Sequence, residues 1–198
     1  MGSEMCIRDS RIAVENVARI ADIDEDSIRS VIFDSGLQSE YETGQINSSE
    51  FVQRFNASAG CQLDETGLLN AVSDIFTLNR TMVPLLTQLS ASRFPIGILS
   101  NTCEAHWNFI LNRSPLLKQI FPAERCVLSF EVSSMKPDLP IYAHAQKVAG
   151  VAAEKIFFCD DLQRNVDGAI AVSFKSLRFE SSIQLLRRLN ELNVVLNL

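Results

Sequence analysis

The sequence predicts an α/β protein, a parallel sheet flanked by helices with an all-helical region ahead of it. Three observations lead there. From Arg11 to about Asn79 apolar residues recur at helical spacings and no stretch reads persuasively as a strand. From about Thr81 onward, short apolar runs alternate with helical patterns. Alternation of that kind, with strands this short and apolar, is what a parallel sheet covered on both faces produces.

In the first half, Ile12, Val14, Val17 and Ile20, then Ile28, Val31 and Ile32, recur two to four residues apart. Asp24 or Asp26 can cap the second of these helices. The run Tyr41 to Ile46, YETGQI, reads as a turn. Asn47, Ser48 or Ser49 then caps a helix carrying Phe51, Val52 and Phe55. A further helix holds Leu68, Leu69, Val72, Ile75 and Phe76. The first ten residues, MGSEMCIRDS, lack useful periodicity and read as a non-native or disordered leader.

In the second half, a helix with Val83, Leu85, Leu86 and Leu89 leads to a strand at Pro95 to Leu99. A helix from about Ala105 to Leu111 leads to a strand at Cys126 to Leu128. A helix from about Leu139 to Ala149 leads to a strand at Lys155 to Cys159. A helix from Leu162, a strand from Phe174 to Phe179 and a helix from Ser181 complete the pattern. The expected organisation is leader 1–10, helical region 11–79 and α/β core 80–198.

Of 198 residues, 46% are hydrophobic and 21% charged, which is ordinary globular composition. The net charge of -6 and the lack of any basic cluster beyond Arg187-Arg188 argue against a nucleic-acid binder. No apolar run approaches a membrane span. The five cysteines, Cys6, Cys61, Cys103, Cys126 and Cys159, show no CxxC spacing and read as buried, reduced thiols. That usage fits a cytoplasmic protein.

In an open parallel sheet, ligands bind beyond the carboxyl ends of the strands. The first strand is followed by Ser100-Asn101-Thr102, the second by Ser134-Met135-Lys136-Pro137-Asp138, and the third by Asp160-Asp161. A hydroxyl, an ammonium and two carboxylates therefore meet on one edge. Ser100 and nearby N–H groups can hold phosphate oxygens, and Lys136 can neutralise developing negative charge. Asp160 and Asp161 are hard oxygen ligands suited to Mg²⁺. Singly, each has a plainer reading: Ser100 to Thr102 as a helix cap, Lys136 as a solvated loop lysine, the carboxylates as helix-dipole partners. Their common place after successive strands favours a phosphate site.

The segments LSNT (Leu99 to Thr102), SSMKPD (Ser133 to Asp138) and FFCDDLQRNVDGA (Phe157 to Ala169) resemble three motifs of the haloacid dehalogenase superfamily. The helical region with YETGQI resembles that superfamily's early-inserted cap. Phosphatases of sugar phosphates, such as α-glucose 1-phosphate, are the nearest in character. The resemblance implies a Rossmann-like core with a small helical cap. It implies a Mg²⁺-dependent phosphatase that hydrolyses a small phosphorylated metabolite through an aspartyl-phosphate. Ser100 and Asn101 would bind the phosphoryl group, Lys136 would hold phosphate and nucleophile, Asp160 and Asp161 would serve the metal, and Asn165 would order their loop.

The resemblance also implies a nucleophilic aspartate on a first, central strand, in apolar residues followed by Asp-x-Asp. Two segments imitate it. Val31 to Gly36 contains Asp34 but continues a helical period, and YETGQI follows almost at once. Met5 to Asp9 offers three apolar residues, then Arg8, and no second carboxylate. The strand and its nucleophile are therefore expected to be absent, leaving an inactive chain. Two sheet edges would then lack backbone partners unless the leader fills the gap. A non-catalytic binding protein on the same fold is the alternative. A 2-haloacid dehalogenase is less well supported, because a metal-free site gains little from adjacent carboxylates.

Overall fold

The computed structural model describes residues 6–92, 94–194 and 196. A short strand, β1 (Cys6–Arg8), opens it and is followed by α1 (Ser10–Ala21) and α2 (Glu25–Arg29). After α2 the chain makes a π-helical turn at Ser30–Asp34 and continues into α3 (Leu37–Glu42), α4 (Ser48–Ala59) and α5 (Glu65–Ser73). All of these helices but α3 begin where the sequence supplies a side-chain cap. Asp24 accepts from the Ser27 amide and Asp64 from the Gly67 amide. Asn47 and Glu50 form a reciprocal capping box at the start of α4. The buried faces of α1 to α5 meet in one apolar cluster, with Val14, Val17, Ile28, Ile32, Phe51, Phe55 and Leu68 at its centre.

The chain leaves this region through β2 (Phe76–Leu78), which pairs antiparallel with β1. One expectation is corrected here: residues 11–79 do contain a strand, Phe76–Leu78, whose partner Cys6–Arg8 lies in the leader. A three-residue ladder with a distant partner leaves no local periodicity to find. Residues 1–5 lie outside the described residues.

The second half runs through α6 (Val83–Ser90), β3 (Ile98–Ser100), α7 (Glu104–Arg113) and α8 (Pro115–Ile120). Then come β4 (Cys126–Leu128), α9 (Ser129–Val132), α10 (Leu139–Ala149) and β5 (Phe157–Asp160). It closes with α11 (Gln163–Ala171), β6 (Lys175–Arg178) and α12 (Ser182–Glu191). Parallel ladders join β3 to β4 and β5 to β6. Among the described residues no ladder joins the two pairs to each other. Two apolar layers cover them, one around Leu85, Ile98, Leu117, Leu128 and Leu185, the other around Val127, Ile141, Tyr142 and Phe174. Among the described residues no helix is long and apolar enough to cross a membrane.

The helical and strand halves join at a tight junction. The buried Ser129 hydroxyl lies 2.6 Å from the Glu42 carbonyl and 2.9 Å from the Thr102 carbonyl, sharing its one proton between them, and accepts from the Thr102 amide at 2.9 Å. Gly44 turns with φ of 67°, and a Cβ there would meet the Phe130 carbonyl oxygen at 2.0 Å. Only glycine fits both the left-handed turn and that approach.

Candidate active site

The site is organised by Lys136. Its ammonium donates to the Leu99 carbonyl at 2.8 Å and to Asp160 Oδ2 at 2.6 Å. The two side chains are 9% and 4% exposed, so this is a buried ion pair and not a solvated loop lysine. The backbone at Lys136 is fixed by Asn101, whose amide donates to the Lys136 carbonyl at 2.8 Å and accepts from the Lys136 amide at 2.8 Å. The Asn101 side chain is thus spent on the Lys136 loop, where the sequence suggested phosphate contact. Ser100 ends β3, half-buried. The segment Ser100 to Thr102 does not cap α7, because Cys103 occupies that position without a side-chain hydrogen bond.

Asp160 is further restrained by the Leu162 amide and by the Asn165 amide, both on Oδ1 at 2.9 Å. Asn165 is itself held by Tyr142, which donates to its backbone carbonyl at 2.6 Å. Its side-chain carbonyl is buried with no hydrogen-bond partner, as is the Ser134 hydroxyl on the Lys136 loop. Asp161 is half-buried, and its pKa is raised above the ordinary carboxylate value by desolvation and then by the neighbouring Asp160 charge. The two carboxylates therefore differ. Asp160 is paired directly with Lys136, while Asp161 feels desolvation and the Asp160 charge more strongly than the Lys136 charge.

Gly168 completes the arrangement. A Cβ there would come within 2.7 Å of the Pro137 carbonyl and 2.8 Å of the Tyr142 hydroxyl. Its bare backbone lets α11 press against the Lys136-Pro137 segment, so the ends of β3, β4 and β5 are locked together. Sequence reading missed Gly168, Ser129 and Gly44. Glycines at such offsets were visible, but the backbones they approach are distant in sequence.

The two imitations of a nucleophile stand elsewhere. Asp34 ends the π-helical turn and is exposed. Asp9 caps α1 and pairs with Arg11 at 2.8 Å. An open cleft between α1, α5 and α7, lined among others by Arg19, Glu65, Asn70 and Glu104, contains none of the predicted site residues.

Lys136 and Asp160 are thus clamped together at the carboxyl ends of parallel strands. No protein-family model matches the chain. Solved structures do, and they are enzymes of the haloacid dehalogenase family. The family enzyme bt-2542 from Bacteroides thetaiotaomicron, in complex with magnesium and inorganic phosphate, superposes with a TM-score of 0.79 at 21% identity, over 90% of each chain. A predicted family hydrolase from Porphyromonas gingivalis gives 0.75 at 18% identity, over 94% of this chain and 91% of that one. L-2-haloacid dehalogenase from Xanthobacter autotrophicus gives 0.61 at 19% identity, over 95% of this chain and 80% of that one.

Proposed function

We propose that this chain carries the phosphate-handling machinery of a Mg²⁺-dependent phosphatase acting on a small phosphorylated metabolite, most readily a sugar phosphate. The observation that carries the proposal is the buried Lys136–Asp160 pair at the strand ends, beside Ser100 and Asp161. A preorganised ammonium in a dry site stabilises charge developing on transferring phosphate oxygens. Asp160, Asn101 and Asn165 position it. On this reading the Ser100 hydroxyl, at the end of β3, would donate to a phosphate oxygen.

Among the described residues no cluster of three or more His, Cys, Asp or Glu could hold a metal by itself. That suits Mg²⁺, which keeps several waters and takes one or two carboxylates plus substrate phosphate. The half-buried Asp161 carboxylate and the unpartnered Asn165 carbonyl are oxygen donors that suit its hard, water-rich shell. When bound, the ion would neutralise phosphate charge. Asp161 would be the direct ligand, and Asp160 would act largely through Lys136. The magnesium and phosphate bound to the bt-2542 enzyme support this reading.

Residues 11–79 then serve as a cap over core residues 80–198. The buried polar pair Gln38 and Glu42, hydrogen-bonded at 2.8 Å and joined to the strand ends through Ser129, suits a hydroxyl-rich substrate. On this reading neither Asp9, which caps α1, nor the exposed Asp34, which ends the π-helical turn, serves as the nucleophile, and the 198-residue chain is expected to show no turnover. The test extends the chain at its start with an apolar strand ending in Asp-x-Asp and assays a panel of phosphate monoesters with and without Mg²⁺. Mg²⁺-dependent phosphate release by the extended chain, and none by the 198-residue chain, is expected. No release from any monoester, or release indifferent to Lys136→Met, overturns it.

A further inference from the structure

The open cleft walled by α1 and α5 of the helical half and α7 of the strand half has a volume of about 890 Å³. Small-molecule sites commonly hold about 300–1,000 Å³. Four asparagines line it: Asn16 from α1, Asn70 from α5, and Asn108 and Asn112, one turn apart, from α7. All four lie within helices, where asparagine is a poor choice because its side chain competes for backbone hydrogen bonds. Helix formation therefore does not account for them. Asn16 ties α1 to α5 by donating to the Ala71 carbonyl at 3.3 Å. Among the described residues the exposed carboxamides of Asn70, Asn108 and Asn112 make no hydrogen bond. The helical Asn56 and Asn165, by contrast, are bound to Leu63 and Asp160 of their own chain.

The charges around the cleft are largely answered by the protein itself. Arg113 pairs with Asp74 at 3.1 Å, Glu104 accepts from Ser48 at 2.6 Å, and Glu65 accepts from Ser49 at 3.0 Å. These three carboxylates outnumber the guanidiniums of Arg19 and Arg113, so the lining holds no surplus of positive charge to attract an anion. Beside the asparagines, the half-buried Leu69 and Phe109 give an apolar surface. The Arg113 guanidinium stands 4.6 Å from the centroid of the Phe109 ring. Ser73, also in the cleft wall, has a buried hydroxyl with no hydrogen-bond partner, a group that costs stability until something meets it.

We propose that this cleft is a binding site for a neutral saccharide. Each asparagine carboxamide offers both donors and an acceptor, which matches hydroxyls that give and take hydrogen bonds. The C–H faces of a sugar ring suit Leu69 and Phe109. Apolar lining with a few convergent polar groups is the general character of small-molecule sites. Neutrality follows from the charge balance of the lining. Because α1 and α5 belong to one half and α7 to the other, a bound sugar bridges the two. The inference goes beyond the phosphatase reading and does not need it. The cleft contains none of Ser100, Lys136, Asp160 and Asp161, and binding is measured without Mg²⁺ or ester.

The probes are glucose, galactose, mannose and maltose, each titrated into the full chain and followed by the NMR signals of the asparagine side-chain amides. At least one sugar should shift Asn70, Asn108 and Asn112 saturably, with one common Kd in the millimolar range that an open cleft allows. Melting temperature is a poor readout, since sugars stabilise folded proteins by exclusion from their surface. Asn108→Leu and, separately, Asn112→Leu sit at exposed positions and should each weaken binding about tenfold. Circular dichroism unchanged from the parent confirms that each variant is folded, and Asn70→Leu gives a third test on the facing helix. No saturable shift with any of the four sugars overturns the proposal. So does parent-like binding by the folded variants, or tighter binding of glucose 6-phosphate than of glucose at the three asparagines. Shifts confined to Asn101 and Asn165 would move the sugar to the strand ends, overturning this site while leaving the phosphatase reading in place.

Discussion

The helical half and the strand half of this molecule satisfy their backbones in different ways. Helices α1 to α5 bond within themselves, are capped by Asp24, Asn47 and Asp64, and close over one apolar cluster. The strands depend on partners from far along the chain, and β3 and β5 each have a ladder on one side only. Local structure is self-contained, whereas a sheet is as complete as its most distant strand. A change in distant pairing is therefore felt mainly in the second half.

The sharpest way to break the comparison is Lys136→Met in the 198-residue chain. It leaves Asp160 charged and buried, and breaking a buried pair costs about 3–5 kcal/mol. Because Lys136 bridges the two ladders at Leu99 and Asp160, cooperative melting of the core should be lost while helical circular dichroism persists. A melt close to the parent's would show that Lys136 does not hold the sheet together. In the extended chain the same substitution should also lower turnover by about three orders of magnitude, since each 1.36 kcal/mol is a factor of about ten.

The junction should be the next most sensitive point. Gly44→Ala puts a methyl against the Phe130 carbonyl and forces a positive φ on alanine. A loss of about 2–4 kcal/mol in urea unfolding is expected, and a loss under about 0.5 kcal/mol would mean that the two halves slide freely.

Urea should also separate the halves in the parent. Trp107, the single tryptophan, packs against the strand-half cluster. Its fluorescence should change at lower urea than the helical signal. Coincident transitions would show one cooperative unit and dissolve the contrast.

The smallest effect concerns Asp161. Its raised pKa means that the folded state binds this proton more readily than the unfolded one. Its ionisation therefore lowers stability as pH rises from the ordinary carboxylate value through the folded value, and the deficit is complete at neutral pH. Asp161→Asn should raise Tm by about one or two degrees at pH 7 and by nothing below the ordinary carboxylate pKa. Millimolar Mg²⁺ should raise the Tm of the parent and not that of the variant. Equal response of both proteins would remove Asp161 from the metal site.

The linear pattern determined the alternation of helices and strands, most capping positions, the strand ends that bear Ser100 and Asp160, and the Lys136 loop after the strand between them in sequence. Each is written within a few residues, in spacing or in residue chemistry. Fold recognition followed, and the solved haloacid dehalogenase enzymes share that fold. Tertiary structure decided the rest. It sealed Lys136 from water, engaged Asn101 with the Lys136 backbone, set Asp160 apart from Asp161, and paired the leader strand with Phe76–Leu78. It also set Ser129, Gly44 and Gly168 at close backbone approaches. These outcomes depend on which distant groups meet and how much water they exclude, and a single chain's order of residues records neither.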